Sequence, residues 1–143
     1  MDYFNSFAIS ASGLTVEKLR METAALNLAN ANSSAAAGAQ PYTPLTVVSR
    51  PGDAFEAHLG GGSDVAAPVV TATVERQSVA PRLVHDPAHP NADQNGFVTY
   101  ARVDSLTEMT SIMRATRAYE ANIKAINAAK AMAQQALDIG SSK

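Results

Sequence analysis

The stretch SLTEMTSIMRATRAYEANIKAINAAKAMAQQAL, residues 105–137, decides the fold of this 143-residue chain. Apolar or small residues recur in it at alternating steps of three and four, interrupted at Lys130; they are Met109, Ile112, Thr116, Tyr119, Ile123, Ile126, Ala133 and Leu137. A 3.5-residue repeat sustained over about four heptads is what a coiled-coil seam requires. The pattern therefore predicts a C-terminal helix over about residues 105–139, roughly 50 Å long.

Both ends of this helix carry sequence signals. Ser105, followed three residues later by Glu108, fits a capping box, in which the two side chains satisfy free backbone N–H groups reciprocally. Gly140 is expected to supply the C-cap. On the helix surface, Glu120 and Lys124 form an i,i+4 pair of opposite charge in the favourable order.

A second amphipathic helix is predicted over about residues 4–30, with Asn30 near its end. Gly13 inside it should cost about 1 kcal/mol relative to alanine, unless a close partner needs the space. Asparagine tolerates the left-handed backbone that ends helices, so Asn30 and Asn32 are expected to stop this one. Its apolar face comprises two lines: Phe7, Ala11, Leu14, Met21, Ala25 and Leu28 in the first, and Ile9, Val16, Leu19 and Leu26 in the second.

The middle of the chain differs from both ends. All seven prolines lie between residues 33 and 101, together with the run Gly60-Gly61-Gly62, and these residues exclude helices longer than a turn or two. Residues 46–48 and 69–76 are rich in β-branched side chains, and residues 97–100 follow the turn signal Asn95-Gly96. We therefore expect a few short strands joined by long loops.

The predicted fold is mainly α with a small β-rich insert. It consists of an N-terminal axial helix (residues 1–32), an insert of loops and short strands (33–101) and a C-terminal axial helix (102–143). Since the insert is too small to cover both helices, we expect them to form an antiparallel coiled-coil-like pair. This pairing leaves the second apolar line exposed, and an exposed apolar stripe of that size marks an interaction surface.

Composition excludes several functional classes. The formal net charge is −2 and no Lys/Arg cluster occurs, so nucleic-acid binding is not expected. The absence of cysteine excludes disulfides, thiolate metal sites and cysteine nucleophiles. The N-terminus lacks the basic and apolar regions of a Sec-type signal, and no apolar run approaches the roughly 20 residues of a membrane span. We expect no direct membrane insertion and no cofactor.

Two hexapeptides, one in each predicted helix, resemble signatures of the flagellar axial proteins, the family of rod, hook and hook-associated proteins. NLANAN, residues 27–32, closes the first helix and resembles the "NLAN" signature, with Asn27, Leu28, Ala29 and Asn30 as the matching residues. RAYEAN, residues 117–122, resembles the "R-[AS]-Y-x-A-N" signature, matched by Arg117, Ala118, Tyr119, Ala121 and Asn122. Both signatures together, each near its own terminus, are far more specific than either alone.

A third segment narrows the resemblance to the flagellar basal-body rod proteins of the proximal rod. HDPAHPNAD, residues 85–93, is followed by Gly96-Phe97-Val98 and Val103-Asp104 and looks like the "DPxHPxADxxGYV…NVD" stretch. Gln40-Pro41-Tyr42 also resembles that branch, whereas Phe97 replaces the commoner tyrosine and Arg102 the usual asparagine. The matching residues are Asp86, Pro87, His89, Pro90, Ala92, Asp93 and Gly96.

The resemblance implies a structural subunit, not an enzyme, of the bacterial flagellar basal body. Such a subunit assembles with copies of itself and other rod proteins into a helical tube, the hollow drive shaft that crosses the periplasm, transmits motor torque and forms part of the export channel. Family members leave the cell through the flagellar type III export apparatus without a cleaved signal peptide. A distal-rod or hook-type paralogue is the alternative within the family, and the short insert argues against it.

The terminal helices are expected to make the assembly contacts. Because isolated helices are marginal in water, they should be largely disordered in the monomer and become ordered when neighbours cover them. The residues predicted to form the helix seams are Phe7, Leu14, Leu19, Met21, Leu26, Leu28, Met109, Ile112, Tyr119, Ile123, Ile126 and Leu137.

His85 and His89 allow a different interpretation, a small metal-binding enzyme. Two imidazoles and a carboxylate are suitable metal ligands, and Asp93 or His58 could supply the third. Two prolines at positions 87 and 90, however, prevent the helix that would bring both histidines onto one face. The residues favour a proline-braced turn in which Asp86 and Asp93 accept hydrogen bonds from backbone N–H groups.

Overall fold

The computed structural model describes residues 3–51 and 69–141, and the side chains of residues 6–51 and 69–139. Gly60-Gly61-Gly62 and His58 lie outside these ranges. In chain order the elements are α1 (Tyr3–Ala29), β1 (Ser34–Ala35), β2 (Leu45–Pro51), β3 (Val70–Arg76), β4 (Arg82–His85), β5 (Phe97–Tyr100) and α2 (Ser105–Ser141).

The two terminal helices are the longest described elements, with 27 residues in α1 and 37 in α2. At 1.5 Å per residue, α2 is about 55 Å long. The insert between them contains short antiparallel strands. The predicted fold class, mainly α with a small β-rich insert, is confirmed at this level.

Asp104, and not Ser105, is the N-cap of α2. Its carboxylate accepts hydrogen bonds from the Leu106 N–H, at 3.2 Å, and from the Thr107 hydroxyl. These hydrogen bonds hold the pKa of Asp104 below its ordinary value of 3.8, and the bond from the Thr107 hydroxyl has the larger effect. The capping box predicted from Ser105 is therefore wrong, and the Glu108 side chain has a different partner, Asn27.

The helix ends also differ from the predicted caps. Asn30 follows the last residue of α1, and its side-chain amide donates to the Leu26 carbonyl at 2.8 Å. No described residue other than glycine has a positive φ, so Asn30 ends the helix with a side-chain hydrogen bond and not with a left-handed backbone. Helix α2 continues through Gly140 to Ser141, so the predicted C-cap at Gly140 is wrong.

Strand β5 is the centre of a three-stranded antiparallel sheet in the order β1-β5-β4. Thr99 lies opposite Ala35 on one side and Leu83 on the other. Strands β2 and β3 form a separate two-stranded sheet. The predicted strands correspond to β2, β3 and β5. Strands β1 and β4 were missed because they have only two and four residues and, unlike the equally short β5, do not follow a turn signal such as Asn95-Gly96.

The chain divides into two compact units. The first unit contains Met1–Leu19, Ser49–Thr73 and Arg114–Lys143, and the second contains Arg20–Val48 and Val74–Met113. Most buried residues are small, which lets neighbouring backbones approach closely. Among the described residues they are Ser12, Val16, Ala115 and Ala129 in the first unit, and Thr23, Ala24, Asn27, Ala31, Ala35, Pro44, Val98 and Ala101 in the second.

Candidate assembly site

The Asn27 side chain, in the last turn of α1, is 1% exposed and joins three parts of the second unit. Its Nδ2 donates to the Leu45 carbonyl at 2.8 Å and to Glu108 Oε1 at 3.0 Å. Its Oδ1 accepts from the Leu45 N–H and from the Tyr42 hydroxyl, both at 2.8 Å. The amide thus fills both donor and both acceptor positions. We call these four residues the Asn27 network.

The Asn27 network is energetically important because the Asn27 amide at its centre is buried and has no access to solvent. A buried polar group left without a partner costs about 1–3 kcal/mol, more than a satisfied bond contributes. Burial raises the pKa of Tyr42 above its ordinary value of 10.0, and the negative charge of Glu108 raises it further. The network therefore joins the end of α1, the start of β2 and the first turn of α2 in one geometry.

Sequence reasoning identified only part of the Asn27 network. The resemblance pointed to Asn27 and Tyr42, whereas Glu108 was assigned to a capping box and Leu45 was missed. No signal could have found Leu45, because only its backbone N–H and C=O take part. Glu108 lies 81 residues from Asn27 in the sequence, a separation that no local pattern detects.

Asn122, from the other helical signature, lies against Gly13 in the first unit. A Cβ atom on Gly13 would be 2.9 Å from Asn122 Nδ2 and 3.2 Å from its Cγ. The Asn122 amide is therefore the close partner that was expected to occupy the space beside Gly13. Next to it, the Ser12 hydroxyl donates to the Ile9 carbonyl at 2.8 Å and accepts from the Val70 N–H at 3.3 Å.

The segment between β4 and β5 is a turn held by aspartate side chains. Asp86 Oδ1 accepts from the Ala88 N–H at 3.3 Å, and Asp93 Oδ1 accepts from the N–H groups of Asn95 and Phe97, both at 2.8 Å. These bonds confirm the predicted roles of Asp86 and Asp93. Gly96 has φ +76°, where a side chain is strained, and a Cβ there would be 3.0 Å from Pro87 Cγ.

The two histidines of this segment pack against different aromatic rings. His85 lies edge-on to Phe97 with ring centroids 5.1 Å apart, and His89 lies near Tyr100 at 6.1 Å. His89 Nδ1 also accepts from the Asn91 N–H at 3.1 Å. Within residues 3–51 and 69–141, no group of three His, Asp or Glu side chains could hold a metal ion.

The predicted seam residues fall into two groups by exposure in the single chain. Phe7, Leu14, Leu19, Met21, Leu28, Ile112, Tyr119 and Ile126 are half-buried. Four are exposed: Leu26 (53%), Met109 (49%), Ile123 (39%) and Leu137 (73%). In the helical signatures, Asn30, Ala118 and Asn122 are half-buried, whereas Ala29, Arg117 and Ala121 are exposed.

The buried face of α2 follows a heptad line that passes through Ala129 and so avoids Lys130. Its steps alternate between four and three residues without interruption, and all its members are buried or half-buried. They are Glu108, Ile112, Ala115, Tyr119, Asn122, Ile126, Ala129 and Ala133. The two residues that make contacts from α2 to α1 in the two units, Glu108 and Asn122, both lie on this line.

No described helix combines the length and the apolar character that crossing a bilayer requires.

Similarity to known proteins covers nearly the whole chain. The model of the family "Flagellar basal body rod FlgEFG protein C-terminal" matches residues 94–139. The flagellar basal-body rod protein FlgC of Salmonella typhimurium is 38% identical over 140 residues, which cover 98% of this chain and 99% of that protein. FlgC of Bacillus subtilis is 34% identical over 149 residues with the same two coverages, and FlgC of Aquifex aeolicus is 38% identical over 132 residues, with 91% of each chain covered. This chain therefore belongs to the FlgC family of flagellar basal-body rod proteins.

Proposed function

We propose that this chain is a structural subunit of the proximal rod in the bacterial flagellar basal body. The observation that carries the proposal is its similarity, over 91–98% of its length, to flagellar rod proteins of three bacteria. These relatives are named FlgC, and this chain matches them over nearly their full length. Both facts favour a position in the proximal rod over one in the distal rod or the hook. The role is one of assembly and torque transmission, without enzymatic chemistry.

The terminal helices form an antiparallel coiled-coil-like pair in this proposal. Contacts between α1 and α2 occur in each unit taken by itself: Gly13 lies against Asn122 in the first, and Asn27 donates to Glu108 in the second. In the second unit, the last turn of α1 meets the first turn of α2. Helices that are joined in this way at the end of one and the start of the other are expected to run antiparallel.

Neighbouring subunits complete the helices by covering their exposed apolar residues. Leu106, Met109 and Met113 are about half or more exposed and lie within two turns at the start of α2, away from its buried line. Contiguous apolar surface of this kind marks protein–protein contact sites. We propose that the neighbours are other copies of this chain and other rod proteins, arranged as a hollow tube that crosses the periplasm and forms part of the export channel.

Ordering on assembly concerns the first unit most. Its described buried residues are only Ser12, Val16, Ala115 and Ala129, whereas the second unit also has the Asn27 network. We therefore propose that the outer parts of both helices become ordered when the rod forms, which also suits export through the type III apparatus as an unfolded chain. Circular dichroism of the dilute chain should give much less helix than the 27 and 37 residues of α1 and α2.

A charge in the helix seam tests the proposed function. Ile123 is 39% exposed in the single chain, so Ile123→Asp should be tolerated there but should bury an unpaired carboxylate in the rod, at a cost of several kcal/mol. Leu28→Asp should also prevent assembly, and because Leu28 is already half-buried in the single chain, this change should cost some stability there as well. Both variants should be secreted but should form no rod and give no motility, whereas Ile123→Leu should swim normally. Wild-type swimming of the aspartate variants would refute the seam assignment.

A further inference from the structure

We propose that Asn95 is a site of spontaneous deamidation, and that the folded turn between β4 and β5 suppresses the reaction. The reactive pair is Asn95-Gly96, and Asp93 is the residue that restrains it. The geometry of this turn, within the second unit, supports the inference without reference to the proposed role in the rod.

Asn95 differs from the other asparagines in the residue that follows it. Of the eight asparagines in the sequence, only Asn95 precedes a glycine. Because glycine has no Cβ atom, its backbone nitrogen is unhindered and the chain around it can adopt conformations that other residues avoid. Asn95 is also exposed, so water can reach its side chain. It is therefore the asparagine that its own neighbour can attack most easily.

The reaction needs no cofactor, because the chain supplies its own nucleophile. The Gly96 backbone nitrogen loses its proton to hydroxide and attacks Cγ of Asn95, and a succinimide ring forms as ammonia leaves with a proton taken from water. Water then opens the ring at either carbonyl and gives aspartate or isoaspartate. The net change consumes a water molecule and releases ammonia, without oxidation or reduction.

The folded turn holds the Gly96 backbone on both sides. Its N–H donates to the Asp93 carbonyl at 3.0 Å, which closes a β-turn over residues 93–96, and its C=O accepts from the Asp86 N–H at 2.9 Å. Neither central residue of this turn has a positive φ. Of the common β-turn classes only type I has this property, and its third residue, here Asn95, has ψ near 0°. The Gly96 nitrogen then lies away from the Asn95 side chain, so ring closure requires a rotation that breaks the turn.

The Asp93 carboxylate strengthens this restraint in two ways. Its Oδ1 accepts from the N–H groups of Asn95 and Phe97, both at 2.8 Å, and so fixes the residues on either side of Gly96. Its negative charge also opposes removal of the proton from the Gly96 nitrogen, because a nearby like charge disfavours a second anion. Deamidation should therefore proceed mainly from the unfolded chain, in which these hydrogen bonds are absent.

Mass spectrometry of the purified full-length chain can measure the rate, after incubation in buffer or in guanidinium chloride. Trypsin cleaves after Arg82 and Arg102 and so releases residues 83–102 as one peptide. The measured quantity is the fraction of this peptide in which Asn95 has become aspartate or isoaspartate. We expect the rate in buffer to be lower by about tenfold or more, because the hydrogen bonds that close the turn must open first.

Asn91 is an internal control, because it lies in the same peptide. It precedes Ala92, whose Cβ hinders the backbone nitrogen, and its side-chain amide donates to Ser34 Oγ at 2.9 Å. Asn91 should therefore remain largely intact in both solutions over the period in which Asn95 reacts in guanidinium chloride.

Asp93→Ala tests the restraint itself. In buffer it should raise the rate at Asn95 by about tenfold, towards the rate in guanidinium chloride, since the bonds to its carboxylate are lost. In guanidinium chloride it should react at nearly the natural rate. Asp86→Ala is the matched control, because it also removes an aspartate from this turn but deletes only the side-chain bond to the Ala88 N–H. Its rate in buffer should stay close to that of the natural chain.

Three outcomes would overturn the proposal. Equal rates in buffer and in guanidinium chloride would mean that the turn gives no protection. An Asn95 that stays intact in guanidinium chloride would mean that the site is unreactive. An equal acceleration by Asp86→Ala and Asp93→Ala would mean that Asp93 has no special part in the restraint. None of these results bears on the proposed function, which is tested by rod assembly and motility.

Discussion

Gly13 and Asn122 approach each other so closely that a methyl group on Gly13 would be 2.9 Å from the Asn122 side-chain nitrogen. Real Cβ atoms essentially never come this near to another heavy atom. Glycine inside a helix is unfavourable relative to alanine, and here the contact with the second helix explains why it is present.

Gly13→Ala should have different effects in two backgrounds. In the natural chain, the roughly 1 kcal/mol gained in helix propensity should be offset by displacement of the Asn122 amide. In an Asn122→Ala background, the same change should raise the free energy of unfolding by about 1 kcal/mol. A double-mutant cycle measured by urea unfolding of the assembled rod, in which the outer parts of both helices are ordered, gives the coupling between the two sites. Equal effects in both backgrounds would show that the contact is energetically irrelevant.

Gly96→Ala should destabilise the chain more than Gly38→Ala. Both glycines have positive φ, +76° and +82°, so each substitution should cost about 1–2 kcal/mol from the backbone alone. Gly38 has no atom within 4 Å of the added Cβ, whereas at Gly96 that atom would be 3.0 Å from Pro87 Cγ and 3.1 Å from His85 Nε2. The free energy of unfolding of the two variants, compared directly, isolates this steric contribution. Similar losses would argue against a tightly packed turn.

Asp104→Ala should lower the melting temperature, whereas Ser105→Ala should change it little. Asp104 accepts hydrogen bonds at the start of α2, and the bonds hold its pKa below 3.8. The folded chain therefore keeps the carboxylate ionised where the unfolded chain begins to protonate it. This stabilisation is present above about pH 4 and is lost as the pH falls through the folded pKa. The difference in melting temperature between the natural chain and Asp104→Ala should shrink accordingly in acid, and a constant difference would contradict the capping role.

Tyr42→Phe should lower the free energy of unfolding by about 1 kcal/mol at neutral pH, because the hydroxyl bond to Asn27 is lost. Burial and Glu108 raise the pKa of Tyr42 above 10.0, so the folded chain retains the phenol proton after the unfolded chain has released it. This contribution is complete below about pH 10 and is lost as the pH rises through the folded pKa. Chemical unfolding of both chains from pH 8 to 11 should show a gap that narrows at the alkaline end.

The sequence predicted the helices well because their signal is local and repeated. Helix α2 begins at Ser105 as predicted, although the cap was assigned one residue too late. Short strands such as β1 are formed by pairing with β5, and their two residues carry no pattern of their own. Two partners of Asn27 were missed for a related reason. Leu45 contributes only its backbone groups, and Glu108 lies far from Asn27 along the chain.

The buried line of α2 differs from the predicted line because the contact favours small side chains. The prediction followed larger apolar side chains such as Met109 and Ile123, which are exposed in the single chain, and it met an interruption at Lys130. The structure buries Ala115 and Ala129 instead, because a helix pair that approaches closely needs short side chains at the contact. A prediction based on hydrophobicity alone ranks alanine low. It therefore selects the larger apolar residues beside the buried line in place of the buried alanines.

The sequence separation of 81 between Asn27 and Glu108 also imposes an order in time on any chain that emerges N-terminus first. While a ribosome or a narrow channel still holds residue 108, the Asn27 amide can bind Tyr42 and Leu45 but not its third partner, Glu108. Closing so long a loop costs conformational entropy before any favourable contact between its ends is formed. The bond between Asn27 and Glu108 therefore forms only after most of the polypeptide has been delivered.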